Sequence, residues 1–376
     1  MILMQKKQLY VIIVFNIFCV FLWCLMVWRT LSGKILLSSQ TKSTLPNITA
    51  GTTIQSLESS LIDTIATAKK SVVSITISKD VKFYVEDPSQ LNGPWTIQQQ
   101  TNKIWGWSGI IVSKKWYILT NKHVVQDVTA KYSVMLYDGQ TYNVDKIWFD
   151  EVLDIALLHI VNSWWKELTY LEPAHFLSLD TTISVGQIVL TMGNALSTYS
   201  DNVTMWIIWG KNKQLTINKN NLYIWLYQTD ALVNPGNSGG PLLDSNGNVL
   251  GMTTAITEGQ GIAFALPISQ EFIASTIKSV ETFGKILRPI VGIQYVDITS
   301  SHGILVKDVL SGLPGQQGWL KIDDIILAIN GKQVTNQLPF LYQLYTYVPG
   351  DTINLDILRN NNQKATLQVL LWGNTE

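Results

Sequence analysis

The residues with the most chemistry to offer stand between Thr229 and Leu242, a stretch reading Thr-Asp-Ala-Leu-Val-Asn-Pro-Gly-Asn-Ser-Gly-Gly-Pro-Leu. Glycine lies two positions before Ser238 and again directly after it, so the backbone around one hydroxyl can take conformations closed to other residues. Ser238 is therefore a candidate nucleophile. The amides of Gly236 and Ser238, on either side of Asn237, can converge on one point, which is how an acyl-transfer enzyme stabilises an oxyanion. The same letters also describe a polar Gly/Pro turn with no chemistry, and a serine attacks only when a base takes its proton. Of the four histidines, His123 lies in Tyr117-Ile-Leu-Thr-Asn-Lys-His-Val-Val, where an apolar strand meets a polar turn and leaves the imidazole at a rim. His159, inside Ile155-Ala-Leu-Leu-His-Ile, reads as an outward-facing strand residue, and His175 and His302 as surface loop residues. Asp154 precedes Ile155-Ala-Leu-Leu and would be buried at a strand mouth, where it can orient an imidazole; Asp145, Asp150 and Glu151 lie in more polar surroundings and read as solvated.

The order His123, Asp154, Ser238 is that of chymotrypsin-like proteases, not of subtilisins or α/β-hydrolases. The three blocks resemble the catalytic blocks of the HtrA (Deg) serine proteases, as do Val189-Leu-Thr-Met-Gly-Asn-Ala-Leu-Ser and Gly261-Ile-Ala-Phe-Ala-Leu-Pro-Ile. The resemblance implies a mainly β fold: a chymotrypsin-like double β-barrel protease domain over 54–284, then a PDZ domain over 285–374. It implies His123 as base, Asp154 as its orienting acid and Ser238 as nucleophile, with Gly236, Asn237 and Ser238 forming the oxyanion hole and no cofactor or metal. Leu232 would floor the substrate pocket, with Ile262 and Ala263 as walls; an apolar pocket favours small aliphatic side chains at the cleaved position. Gly303-Ile-Leu-Val, Gly312-Leu-Pro-Gly, Leu320-Lys-Ile-Asp-Asp-Ile-Ile-Leu-Ala-Ile-Asn-Gly-Lys and Pro349-Gly-Asp-Thr-Ile resemble successive parts of a PDZ domain. Ile290, Val291, Gly292 and Ile293 match its carboxylate loop, where a C-terminal peptide adds as a strand. Asp323 departs from the pattern, which carries glycine there.

The chain holds 27 basic and 27 acidic residues, so no electrostatic footprint for nucleic acid is present, and 47% hydrophobic content is ample for packed cores. Leu9 to Trp28 is apolar apart from Asn16 and, at about 1.5 Å per helical residue, long enough for a hydrocarbon core of about 30 Å. It reads as one transmembrane anchor within residues 1–31, a cleaved signal peptide being the competing reading. The only two cysteines, Cys19 and Cys24, fall inside that run and leave no disulfide framework for the globular part. Residues 32–53 are rich in Ser, Thr and Gln and read as a flexible linker. Leu57, Leu61, Ile62 and Ile65 recur at helical spacing; Val72-Val-Ser-Ile-Thr-Ile-Ser alternates as a first strand; Asp80 to Lys103, interrupted by Pro88 and Pro94, reads as a long surface loop. A short linking helix is expected over Glu271 to Phe283. By resemblance to the anchored single-PDZ members, the expected form is a membrane-anchored homotrimer outside the cytoplasm, with unfolded or membrane-protein substrates and C-terminal peptides at the PDZ. The rival class is a non-catalytic PDZ scaffold or chaperone-like binder.

Tryptophan is anomalous: there are fourteen. Trp105, Trp107, Trp116, Trp206 and Trp319 stand where the family pattern has glycine, and the demand at such positions is positive φ or close backbone approach, which an indole does not meet. The expectation is that these positions are glycine in the living protein, as when UGA codons read as glycine are translated as tryptophan.

Overall fold

The fold is described from a computed structural model, over residues 50–85, 96–161, 171–193, 202–218, 221–230, 236–257, 262–298, 302–359 and 363–373. The expected anchor and most of the expected linker lie outside these residues. Among the described residues no helix is long and apolar enough to cross a membrane.

Helix α1 spans Ala50–Ala68. Its apolar stripe, Leu61, Ile65 and Ala68, packs on the main core, and Thr64 Oγ1 donates to the Ser245 carbonyl at 3.2 Å. A short 3-10 turn at Lys69–Ser71 passes the chain into the first barrel: β1 (Val72–Val85), β2 (Thr96–Ile111), β3 (Tyr117–Thr120), β4 (Lys131–Met135), β5 (Thr141–Phe149) and β6 (Ala156–Val161). These close in the order β1-β2-β3-β6-β5-β4. Closure follows from alternation: every second residue turns inward, so Val73, Ile75, Ile118, Val134, Leu158 and Ile160 fill the interior and are fully buried. The expected loop over Asp80–Lys103 is instead largely the arms of a long hairpin, paired from Val72↔Ile110 out to Val85↔Thr96. In these arms each strand offers the other its facing N–H and C=O groups, the antiparallel ladder of a hairpin.

The second barrel comprises β7 (Ile188–Gly193), β8 (Asn202–Asn218), β9 (Asn221–Thr229), β10 (Pro241–Leu243), β11 (Val249–Thr257) and β12 (Ile262–Pro267), closing as β10-β11-β12-β9-β8-β7. Ile183, Val189, Ile208, Leu242, Leu250 and Ala265 form its interior. Helix α2 (Gln270–Phe283) follows where the linking helix was expected; Ser269 Oγ caps it by accepting from Phe272 N, and Gly284 at φ +70 ends it.

The C-terminal part contains β13 (Pro289–Ile290), β14 (Ile293–Asp297), β15 (Ile304–Val309), α3 (Pro314–Gln317), β16 (Ile325–Ile329), β17 (Lys332–Gln333), α4 (Phe340–Leu344), β18 (Thr352–Arg359), β19 (Gln363–Leu370) and β20 (Trp372–Gly373). Its main sheet runs β14-β15-β16-β18-β19, leaving β14 at an edge beside α4, where Tyr295 meets the Phe340 ring edge-on at 5.5 Å.

Asp150, expected to be solvated, is fully buried. Arg288 Nε donates to its Oδ2 at 2.7 Å, and the same guanidinium reaches the Tyr345 carbonyl and Thr276 Oγ1 while lying 4.2 Å from the Phe272 ring centroid. A buried carboxylate requires such a partner, and the partner lies 138 positions away in sequence.

Three tryptophans, Trp116 at φ +69, Trp225 at φ +61 and Trp319 at φ +66, occupy the left-handed region, as does Asp323 at φ +68, where the PDZ pattern has glycine. Trp105, Trp107 and Trp206 lie in extended strands, so at those positions the backbone itself makes no demand for glycine.

Candidate active site

β3 ends at Thr120 and a single 3-10 turn, Lys122–Val124, carries His123 out of the first barrel. Asp154 closes the turn before β6 and stands against it: His123 Nδ1 lies 2.7 Å from Asp154 Oδ2, and the His123 amide donates to Oδ1 at 3.0 Å. The acid side chain is only 10% exposed and the imidazole 29%, so the carboxylate is sheltered and the ring keeps one edge accessible. Thr254 Oγ1 on β11 donates to Asp154 Oδ2 at 2.9 Å and accepts from Asn121 Nδ2 at 2.7 Å. Burial pushes the Asp154 carboxyl up, but the hydrogen bonds and charge of His123 and the Thr254 hydroxyl outweigh it and hold the group below its ordinary value of 3.8. Asp154 is thus an anion built to face an imidazole.

Asp150 fixes the approach to this acid, its Oδ1 accepting from Val152 N and Leu153 N, while Lys122 Nζ donates to the Asp150 carbonyl. Neither Asp150 nor Arg288 announced itself in sequence, because burial comes from packing against a distant segment.

Ser238 sits in the turn before β10 and is stitched to the His123 strand through β2. Ser108 N donates to the Ser238 carbonyl at 3.1 Å, and Thr120 Oγ1 donates to the Ser108 carbonyl at 2.8 Å. Ser108 Oγ also donates to the Gly236 carbonyl at 2.7 Å, fixing the peptide that follows Gly236. Gly239 N donates to the Thr253 carbonyl, one residue before Thr254. Gly236 at φ +108 and Gly239 at φ +84 hold the strained conformations the motif anticipated, and a Cβ on Gly239 would collide with the Ser108 carbonyl and the Thr120 hydroxyl. Asn237 packs against Gly193 at the end of β7, where a side chain would overlap its amide. The serine turn, the histidine turn and the acid are thereby joined through Ser108, Thr120 and Thr254.

An alcohol beside two glycine-shaped amides, an imidazole and a sheltered carboxylate are the parts of an acyl-transfer site. A family model for a trypsin-like peptidase domain matches residues 107–252, and one for a PDZ domain matches residues 289–371. The chain is 29% identical over 296 residues to the serine protease Do-like HtrB of Bacillus subtilis (strain 168), an alignment covering 72% of this chain and 62% of that protein. It is 33% identical over 276 residues to a probable periplasmic serine endoprotease DegP-like of Chlamydia trachomatis serovar D, covering 69% of this chain and 52% of the relative. Among solved structures, the HtrA-type protease AlgW with decapeptide superposes with a TM-score of 0.56 at 26% identity, covering 84% of this chain and 99% of that one. The chain belongs to the HtrA family. It spans about 52% to 62% of the length of these curated relatives.

Leu232 lies outside the described residues. Ile262 opens β12 half-buried, and Ala263 beside it is fully buried, paired with Thr229 on β9 and packed by Trp206, whose Nε1 has no hydrogen-bond partner. Trp107 stands edge-on to the His123 ring with centroids 5.8 Å apart. Ile290 ends β13, Val291 and Gly292 form the turn, and Ile293 opens edge strand β14, with Gly292 at φ +77 over Leu313. The Val291 and Gly292 carbonyls are engaged by Gly315 N and Leu310 N, which fixes the turn.

Proposed function

We propose that this chain is a serine endopeptidase that cuts misfolded or regulatory proteins outside the cytoplasmic membrane, tethered by Leu9–Trp28 and controlled by its PDZ domain. The observation carrying the reading is the 2.7 Å contact of His123 Nδ1 with Asp154 Oδ2, in a framework that ties the Ser238 turn to the same strand end. His123 takes the Ser238 proton as the hydroxyl attacks a peptide carbonyl, then delivers it to the leaving amine, while Asp154 stabilises the imidazolium. The amides of Gly236 and Ser238 bind the oxyanion, each worth about 10²–10³ in turnover. Ile262 and Ala263, with Leu232, favour a small aliphatic side chain at the cleaved position.

Edge strand β14, entered through Ile290, Val291, Gly292 and Ile293, suits addition of a C-terminal peptide as a further strand, and a similar solved structure is described with a decapeptide. Homotrimer assembly belongs to the same proposal and rests on family resemblance.

Ser238→Ala should abolish cleavage of casein; retained hydrolysis removes Ser238 from the mechanism. The scaffold alternative is separated by labelling with a fluorophosphonate, which marks an activated serine and leaves an inert one unlabelled.

A further inference from the structure

Asp154 receives more hydrogen bonds than an orienting acid needs from its histidine. Oδ1 accepts from the His123 amide, and Oδ2 accepts from His123 Nδ1 at 2.7 Å, Thr254 Oγ1 at 2.9 Å and the hydroxyl of Tyr223 at 3.2 Å. Tyr223 lies on β9, is 7% exposed, and packs in the main core. Burial first, then the neighbouring carboxylate, push its phenol far above 10.0, so it is protonated at every working pH and can only donate to Asp154.

We propose that Tyr223 is a positioning residue of the triad: its phenol, delivered from the second barrel, shares the Asp154 oxygen that faces His123 and thereby sets the basicity of the imidazole. This rests on the protease reading above. Charge on Oδ2 is divided among its donors, so a donor beside the imidazole lowers the attraction that the carboxylate exerts on an imidazolium. Removing that donor concentrates charge toward His123 and makes the ring harder to deprotonate. The position also couples elements. β9 runs through Thr229 toward the Ser238 turn, so the phenol links the strand that feeds the nucleophile to an acid borne by the other barrel.

The test is Tyr223→Phe, which keeps the buried ring and deletes the hydroxyl, measured on the full chain with a fluorogenic peptide carrying valine at the cleaved position. The acidic limb of the kcat/KM–pH profile should move up by about half a pH unit. The low-field Nδ1 proton resonance of His123 should shift with it. Site-specific 3-fluorotyrosine at position 223, a stronger donor in the same shape, should move the limb the opposite way; it serves also if the Phe variant misfolds. Activity lost uniformly, with limb and resonance unchanged, reduces Tyr223 to packing and overturns the proposal. A moved resonance in a chain whose unaltered form hydrolyses nothing upholds the positioning role and sinks the protease reading instead.

Discussion

Trp319 is held at φ +66 with its side chain 75% exposed, a pairing of strained backbone and idle indole that predicts stabilisation on replacement by glycine. A left-handed conformation costs an L-residue about 1–2 kcal/mol, because Cβ crowds the following carbonyl. Glycine removes that penalty but loses about 0.4–1 kcal/mol of unfolded-chain entropy. The indole contributes little to offset this. Unfolded chains already bury roughly 10–40% of their extended surface, so a side chain 75% exposed gains almost nothing on folding. The local hydrogen bonds are main-chain and survive: Trp319 N to the Gln316 carbonyl, and the Trp319 carbonyl to Arg359 Nη2 at 2.7 Å. The net expectation is a gain of about 0.5–1 kcal/mol for Trp319→Gly, read as a higher urea midpoint at unchanged slope. Trp319→Ala keeps the Cβ and should fall below the glycine variant, reversing the usual helix and strand ranking of the two residues. Alanine equal to or above glycine at this position refutes the reasoning. The same logic reaches the gene: UGA codons at Trp116, Trp225 and Trp319, with glycine in the natural protein by peptide mass, would follow, and UGG codons there end the recoding idea.

Breaking the buried Arg288–Asp150 pair by Arg288→Ala should destabilise the fold by about 3–5 kcal/mol in chemical denaturation, since it strands a carboxylate with no water. Arg288→Lys should not restore it, because three separate guanidinium nitrogens are in use. Asp154→Asn should lower kcat by about 10⁴ with the fold intact by circular dichroism. Because the folded Asp154 carboxyl lies below 3.8, its contribution to stability is complete above that value and disappears as pH falls through the folded pKa. Acid titration should therefore lose less stability in Asp154→Asn than in the parent; equal losses would contradict the ionised assignment. Gly239→Ala, forced to φ +84 against Ser108 and Thr120, should reduce kcat by at least about 10²-fold, the scale of one lost oxyanion donor. A peptide bound along β14 should raise the proteolytic rate, and an unchanged rate in saturating peptide removes PDZ control.

The triad candidates, the two expected β-domains and the linking helix were legible in the chain because each is encoded locally. Glycines beside a serine, apolar alternation and a capped 3.6-residue pattern are properties of neighbouring letters. Even the trouble at Trp116 and Trp319 could be read there, as residues at odds with the turns around them, and the φ values of +69 and +66 agree. What the letters could not show is which polar groups lose their water. Asp150, in the more polar surroundings of the two, is nonetheless sealed against Arg288, while Asp154, four positions on, meets Thr254 and Tyr223 as well as His123. Those partners come from segments 31 to 138 positions away. Desolvation and the geometry of a shared carboxylate oxygen arise only when two closed barrels and the C-terminal sheet bring distant strands together, so tertiary structure alone decided that Asp150 is buried against Arg288 and that Tyr223 stands beside the acid facing His123.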